Sequence, residues 1–165
     1  MERYYLAYGS NLSVAQMAQR CPDAVYVGTA EVEGYGLLFK GSLTGSYLTV
    51  EKKEGGRVPV LVWRISETDE RNLDRYEGCP AFYYKTKMRV KVKTFIGGEK
   101  EADALIYIMH EDRSTGRPSM HYYDVCHEGY CRFGFDTAVL EQALTDSVGK
   151  RAGRRYRECG RIYYI

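Results

Sequence analysis

The sequence predicts an α+β protein built on a closed or nearly closed β-sheet. Three features carry that expectation: short, turn-rich β segments fill the first third of the chain, a central helix is followed by a long hairpin, and helical periodicity returns only from Pro118 onward. The strand–helix–strand repetition that builds a doubly wound parallel sheet is missing. At 165 residues with 44% hydrophobic side chains, the chain has the size of a single domain, residues 1–165, with one core.

Residues 3–8 read as the first strand, and residues 24–33, 35–40 and 47–51 as three more, punctuated by Gly28, Gly34, Gly41, Gly45 and a Gly55-Gly56 turn. Between the first two lies a helix over residues 13–20, in which Ser13 and Gln16 have the spacing of a capping box. The apolar run 60–65, just after Pro59, has the composition of a buried strand. Ser66 then caps an acidic-first helix that runs to Glu77 and stops at Gly78 and Pro80. Residues 83–95 alternate apolar and basic side chains around Met88, Val90 and Val92, and Gly97-Gly98 turns them into a second strand at 102–109. Two helices close the chain, from 119 to about 130 and from 136 to about 148; Val139, Leu140, Ala143 and Leu144 form an apolar stripe on the second.

Net charge is +2, so nothing global calls for nucleic acid or a membrane surface as partner. Lys150, Arg151, Arg154, Arg155, Arg157 and Arg161 crowd the C-terminal stretch, which reads as a solvated basic tail because no nucleic-acid-binding module accompanies it. No secretory leader opens the sequence and no apolar run approaches the roughly 20 residues that span a bilayer, so a soluble, cytoplasmic protein is expected. The five cysteines, Cys21, Cys79, Cys126, Cys131 and Cys159, are odd in number and lack a C-x-x-C pair, which favours free thiols. Cys126, His127 and Cys131 do not have the spacing of zinc ligand pairs, and no metal is expected. Sixteen tyrosines are many for this length; most belong in the core or at its rim, and a few line a pocket.

The most informative segment is Tyr8-Gly9-Ser10-Asn11-Leu12, which ends the first strand and opens onto a helix. Unpaired backbone N–H groups and the helix dipole at such a junction can hold a carboxylate or phosphate. An ordinary strand-to-helix turn would use the same residues, with Gly9 permissive and Ser10 and Asn11 bonded locally. The second signal is a carboxylate. In the central helix Glu67, Arg71, Asp74 and Arg75 group towards solvent, whereas Leu73, Tyr76 and Glu77 share the opposite face, which turns Glu77 inward, although Asp69 and Glu70 make the early part of that face polar. Partial burial and the negative end of the helix dipole both raise its pKa, and such a carboxylate suits general acid/base work. A structural role, in which Glu77 accepts from loop amides or pairs with an arginine, stands beside that reading.

The Tyr8–Leu12 loop after the first strand, with Tyr76-Glu77-Gly78 after the central helix, resembles the gamma-glutamylcyclotransferase-like family; Pro118-Ser119 followed by Tyr122 is a further, weaker likeness. The resemblance runs from Tyr5 to about Leu144. It implies a small mixed β-barrel flanked by helices and a cofactor-independent reaction in which a γ-glutamyl amino acid or γ-glutamyl amine closes to 5-oxoproline and releases the amine. By the same resemblance Glu77 is the general acid/base, and Tyr8, Gly9, Ser10, Asn11 and Leu12 bind the substrate, with Tyr84, Tyr107 and Tyr122 as pocket tyrosines. Two rivals share these residues: a non-catalytic module that binds an anionic metabolite, and removal of a γ-glutamyl protecting group in secondary metabolism. Neither the leaving amine nor the oligomeric state is written in the sequence.

Overall fold

The computed structural model describes residues 1–42 and 44–149, together with 155–158 and 161–164. The chain runs β1 (Arg3–Ala7), a 3-10 turn (Ser10–Leu12), α1 (Val14–Arg20), β2 (Val25–Ser42), β3 (Gly45–Ile65), α2 (Glu67–Tyr76), β4 (Tyr83–Thr94), β5 (Glu99–Met109), β6 (Ser114–Thr115), α3 (Met120–Phe133), α4 (Ala138–Val148), β7 (Arg155–Glu158) and β8 (Arg161–Tyr164). Strands β3, β1, β5, β4 and β2 pair in that order, and β2 pairs back onto β3 to close a five-stranded barrel, with β6 appended to β2. Every pairing in the barrel is antiparallel except β1 with β5, which makes the barrel mixed. This is the α+β architecture expected from the order of elements.

β1 is paired on both edges, and Tyr5, Leu6 and Ala7 are buried in succession rather than alternately, so both of its faces are covered. The 60–65 run is buried except at Arg64, and here β3 pairs with β1 on one edge and β2 on the other. The expected division of this region into short strands does not hold. Residues 24–33 and 35–40 belong to one strand, β2, and 47–51 and 60–65 to another, β3. Gly55-Gly56 does not turn the chain: Glu33 faces Arg57 and Tyr35 faces Lys52, so residues 53–56 bulge out opposite Gly34 and the ladder resumes. A bulge bends a long strand without ending its pairing, and curvature of that kind lets a hairpin wrap a barrel.

The helices follow their capping signals. Ser66 and Asp69 exchange both bonds of a capping box at the start of α2, at 3.0 and 3.2 Å, and Asp69 also accepts from the Asp23 amide, which is why this acid is fully buried. In α1 only half of the expected box forms: Ser13 accepts from the Gln16 amide at 3.3 Å, while the Gln16 Oε1 atom is buried without a partner among the described residues. α4 lies along β2 with Leu140, Ala143 and Leu144 buried, and the Ser147 hydroxyl accepts the Phe39 amide at 2.8 Å. α3 approaches the 3-10 turn at Gly129, where a Cβ would stand 2.4 Å from that of Leu12. Only glycine permits that approach, and it seats Leu12 in the core.

Two placements on α2 differ from expectation. Tyr76 is 47% exposed, its ring covered by the Arg20 guanidinium at 3.7 Å instead of by core. Asp74, expected to face water, is half-buried and accepts from the Tyr107 hydroxyl at 2.7 Å and from Lys85 at 2.9 Å. Asp74 finds its partners on β4 and β5 because the last turn of α2 abuts the barrel end, whereas Tyr76 meets the end of α1.

Cys21, Cys79 and Cys126 are free thiols. Among the described residues no group of three or more His, Cys, Asp or Glu side chains is placed to hold a metal ion, and no helix is long and apolar enough to cross a membrane. Lys150, Arg151 and Arg154 of the basic stretch, and Cys159, lie outside the described residues; the rest of that stretch lies in and around an antiparallel β7–β8 hairpin.

Candidate active site

Where the barrel end meets the last turn of α2 there is a pocket of about 270 Å³. Its wall takes Tyr5, Tyr8 and residues 9–11 from β1 and the loop after it, Tyr47 and Leu48 from β3, Tyr76 and Glu77 from the end of α2, Phe82 and Tyr83 at the entry to β4, Tyr107 from β5 and Tyr122 from α3. The two segments singled out in the sequence, residues 8–11 and Glu77, therefore face the same space. Gly9 allows the loop to pass beneath Tyr122: a Cβ there would lie 3.1 Å from the Tyr122 hydroxyl.

The loop is not the direct N-terminus of α1. Residues 10–12 form their own 3-10 turn, closed by Leu12 N–H on the Gly9 carbonyl and Ser13 N–H on the Ser10 carbonyl, each at 3.0 Å, and Ser13 then caps α1 separately. The Leu12 amide is thus consumed and its side chain is core, so Leu12 anchors the loop and does not reach the pocket wall. The Ser10 and Asn11 N–H groups open the turn and meet no acceptor among the described residues.

Asn11 joins the two halves of the site. It is 3% exposed, and its carbonyl accepts from the Trp63 indole at 3.1 Å. Its Oδ1 accepts from Arg20 at 2.5 Å, while its Nδ2 donates to the Tyr5 hydroxyl at 2.9 Å and to Glu77 Oε1 at 3.3 Å. A guanidinium only donates, so Arg20 dictates which end of the Asn11 amide faces the carboxylate. Glu77 is half-buried, and burial pushes its pKa up to about 7, with the Arg20 charge acting in the opposite direction. Its bond to the loop is made by the Asn11 side chain, and among the described residues it forms no ion pair with an arginine.

The pocket phenols are held by bonds to the scaffold. Tyr8 donates to the Tyr107 carbonyl at 2.5 Å, Tyr83 to the Leu48 carbonyl at 2.8 Å and Tyr107 to Asp74, while Tyr122 accepts the Leu48 amide at 3.0 Å. Burial raises the pKa of Tyr8, Tyr83, Tyr107 and Tyr122, so these hydroxyls stay neutral. Tyr84 is absent from this wall. Alternation along β4 places its neighbour Tyr83 inward, while Tyr84 donates to Glu111 at 2.5 Å and its ring lies beside His110. Sequence reasoning missed Tyr5, Tyr47, Phe82, Tyr83 and Arg20. The Tyr83-Tyr84 pair carried the signal, but only the register with β5 decides which of the two faces in.

The profile of the gamma-glutamyl cyclotransferase, AIG2-like family matches residues 5–126, which include both the loop and Glu77. The chain belongs to this family. Among related gamma-glutamylcyclotransferases, that of Mus musculus is 31% identical over 128 residues, covering 73% of this chain and 66% of its own length. That of Homo sapiens is 32% identical over 125 residues, covering 72% and 64% respectively. The matched region thus spans just under two thirds of these relatives. In three dimensions the chain is similar to a solved gamma-glutamyl cyclotransferase (TM-score 0.73, 25% identity, covering 96% of this chain and 95% of the other). It is also similar to an uncharacterized protein from Homo sapiens (TM-score 0.71, 26% identity, covering 95% and 94%).

Proposed function

We propose that the protein is a cofactor-independent cyclotransferase that converts a γ-glutamyl amino acid or γ-glutamyl amine to 5-oxoproline and the free amine, with Glu77 as general acid/base. The observation that carries this reading is the carboxylate of Glu77, raised to about 7 and facing the same pocket as the Gly9–Ser10–Asn11 loop. In the reaction the substrate's α-amine attacks its own γ-carbonyl, a C–N bond closes the ring, and the bond to the leaving nitrogen breaks. Glu77 takes the proton from the α-amine and returns it to the leaving nitrogen, so no water or enzyme nucleophile is consumed. The Ser10 and Asn11 amides hold the glutamyl α-carboxylate or the developing oxyanion. Tyr8, Tyr107 and Tyr122 shape the pocket around the folded-back substrate, whose intramolecular geometry can be worth about 7–11 kcal/mol.

The test is a panel of γ-glutamyl dipeptides, γ-glutamyl-ε-lysine and glutathione, followed by 5-oxoproline release. Product from any member supports the assignment and names the leaving amine. Binding across the panel without product would replace it with a non-catalytic anion-binding module.

A further inference from the structure

The arginine at the end of α1 has no place in the reaction just outlined, yet it touches both halves of the pocket. Arg20 donates to Asn11 Oδ1 at 2.5 Å and lies over the Tyr76 ring at 3.7 Å, while its own carbonyl accepts from Asn72 Nδ2 at 3.1 Å. It therefore links α1, the loop and the last turn of α2. We propose that Arg20 is a positioning residue: it locks the Asn11 side-chain amide with its NH2 group towards Glu77, and its charge sets how strongly the Glu77 carboxylate holds a proton.

The surroundings of Glu77 leave that task to Arg20. The titratable groups around it are Tyr5 and Tyr8 from β1 and the residue after it, Cys21 at the end of α1, Cys79 in the loop beyond α2, and Tyr83 from β4. Burial raises the pKa of every one of them, so phenols and thiols alike are neutral near pH 7. Among the described residues Arg20 supplies the one charge that acts on Glu77. Its geometry matters as much as its sign. A planar guanidinium can both cover an aromatic face and donate in plane to an amide oxygen, and an ammonium cannot reproduce the pair. Were the Asn11 amide reversed, its oxygen would face the carboxylate and repel it.

This inference rests on Glu77 being the functional carboxylate, but its test needs no turnover. The Glu77 side-chain carboxyl carbon is followed by ¹³C NMR across pH 4–10 in the native protein, R20Q and R20K, with the signal assigned by its loss in E77Q. The expected result is a midpoint about one pH unit higher in R20Q than in the native protein, and a midpoint in R20K between the two, because lysine keeps the charge but not the planar donor that fixes the Asn11 amide. Equal midpoints in all three proteins would overturn the proposal. In the native protein alone, the Asn11 Nδ2 protons must shift with the same midpoint as the Glu77 carboxyl; Asn11 signals that ignore that titration overturn it too, whether or not R20Q folds. Failure of the substrate panel with these NMR results intact would strike the reaction and spare Arg20.

Discussion

Asn11 Nδ2 stands 3.3 Å from Glu77 Oε1, so one side-chain amide ties the loop after β1 to the end of α2, 66 residues further along the chain. Through this bond the carboxylate is oriented by the same loop whose Ser10 and Asn11 line the pocket.

Replacing Glu77 by Gln removes the proposed proton carrier but leaves an acceptor for Asn11. The variant should fold and lose about 10²–10⁴-fold in kcat/KM for 5-oxoproline release. Retained turnover in a folded E77Q protein would assign the chemistry to another group.

The same residue makes stability depend on pH. Its folded pKa is about 7 against an ordinary 4.5, so the favourable contribution of the protonated form is complete below about 4.5 and lost as pH rises through 7. After discounting for partial exposure, this amounts to about 2–3 kcal/mol. E77Q should therefore gain thermal stability over the native protein as pH rises from 4.5 to 8, with the gap widest at the alkaline end. Parallel Tm curves for the two proteins would contradict it. In the native protein kcat/KM should rise with pH through the same region near 7, because the proposed base must be unprotonated to accept.

Leu12 and Gly129 form a close contact in which neither residue touches the pocket. Leu12→Ala should cost about 2–5 kcal/mol in chemical unfolding by leaving a cavity, and Gly129→Ala about 1–3 kcal/mol by overpacking. Both should also loosen the loop and raise KM. A destabilised variant with native KM would show that the loop holds its shape without this anchor.

Tyr84→Phe should leave kcat/KM within about twofold of native, since Tyr84 bonds Glu111 outside the wall, whereas Tyr83→Phe strands the Leu48 carbonyl and should cost about 1 kcal/mol of stability. A large loss of kcat/KM in Y84F would place that ring in the substrate's path.

Much of this was legible in the sequence where a local signal decides the outcome. Ser66 before an acidic first turn marks α2, the Gly97-Gly98 turn marks the β4–β5 hairpin, and residues 8–12 stand out as a glycine loop between strand and helix. Long-range pairing was less readable. Gly34 and Gly55-Gly56 resemble turn signals, but opposite one another they form a bulge, and only the register of two strands distinguishes the two outcomes. The same limit hid Tyr83 behind Tyr84. Arg20 left no local mark because a basic residue in the last turn of a helix is what the helix dipole favours anyway.

The parallel pairing of β1 with β5 has a consequence for when this pocket comes into being. Parallel neighbours cannot be joined by a tight turn, so the β2–β3 hairpin, α2 and β4 all lie in the crossover between β1 and β5, and the pocket draws on residues from both ends of it. An intermediate holding only the early hairpin would own the glycine loop with no acid opposite it. Turnover by the proposed route therefore requires the α2 crossover as well as the barrel strands, and activity regained during refolding would report their joint assembly.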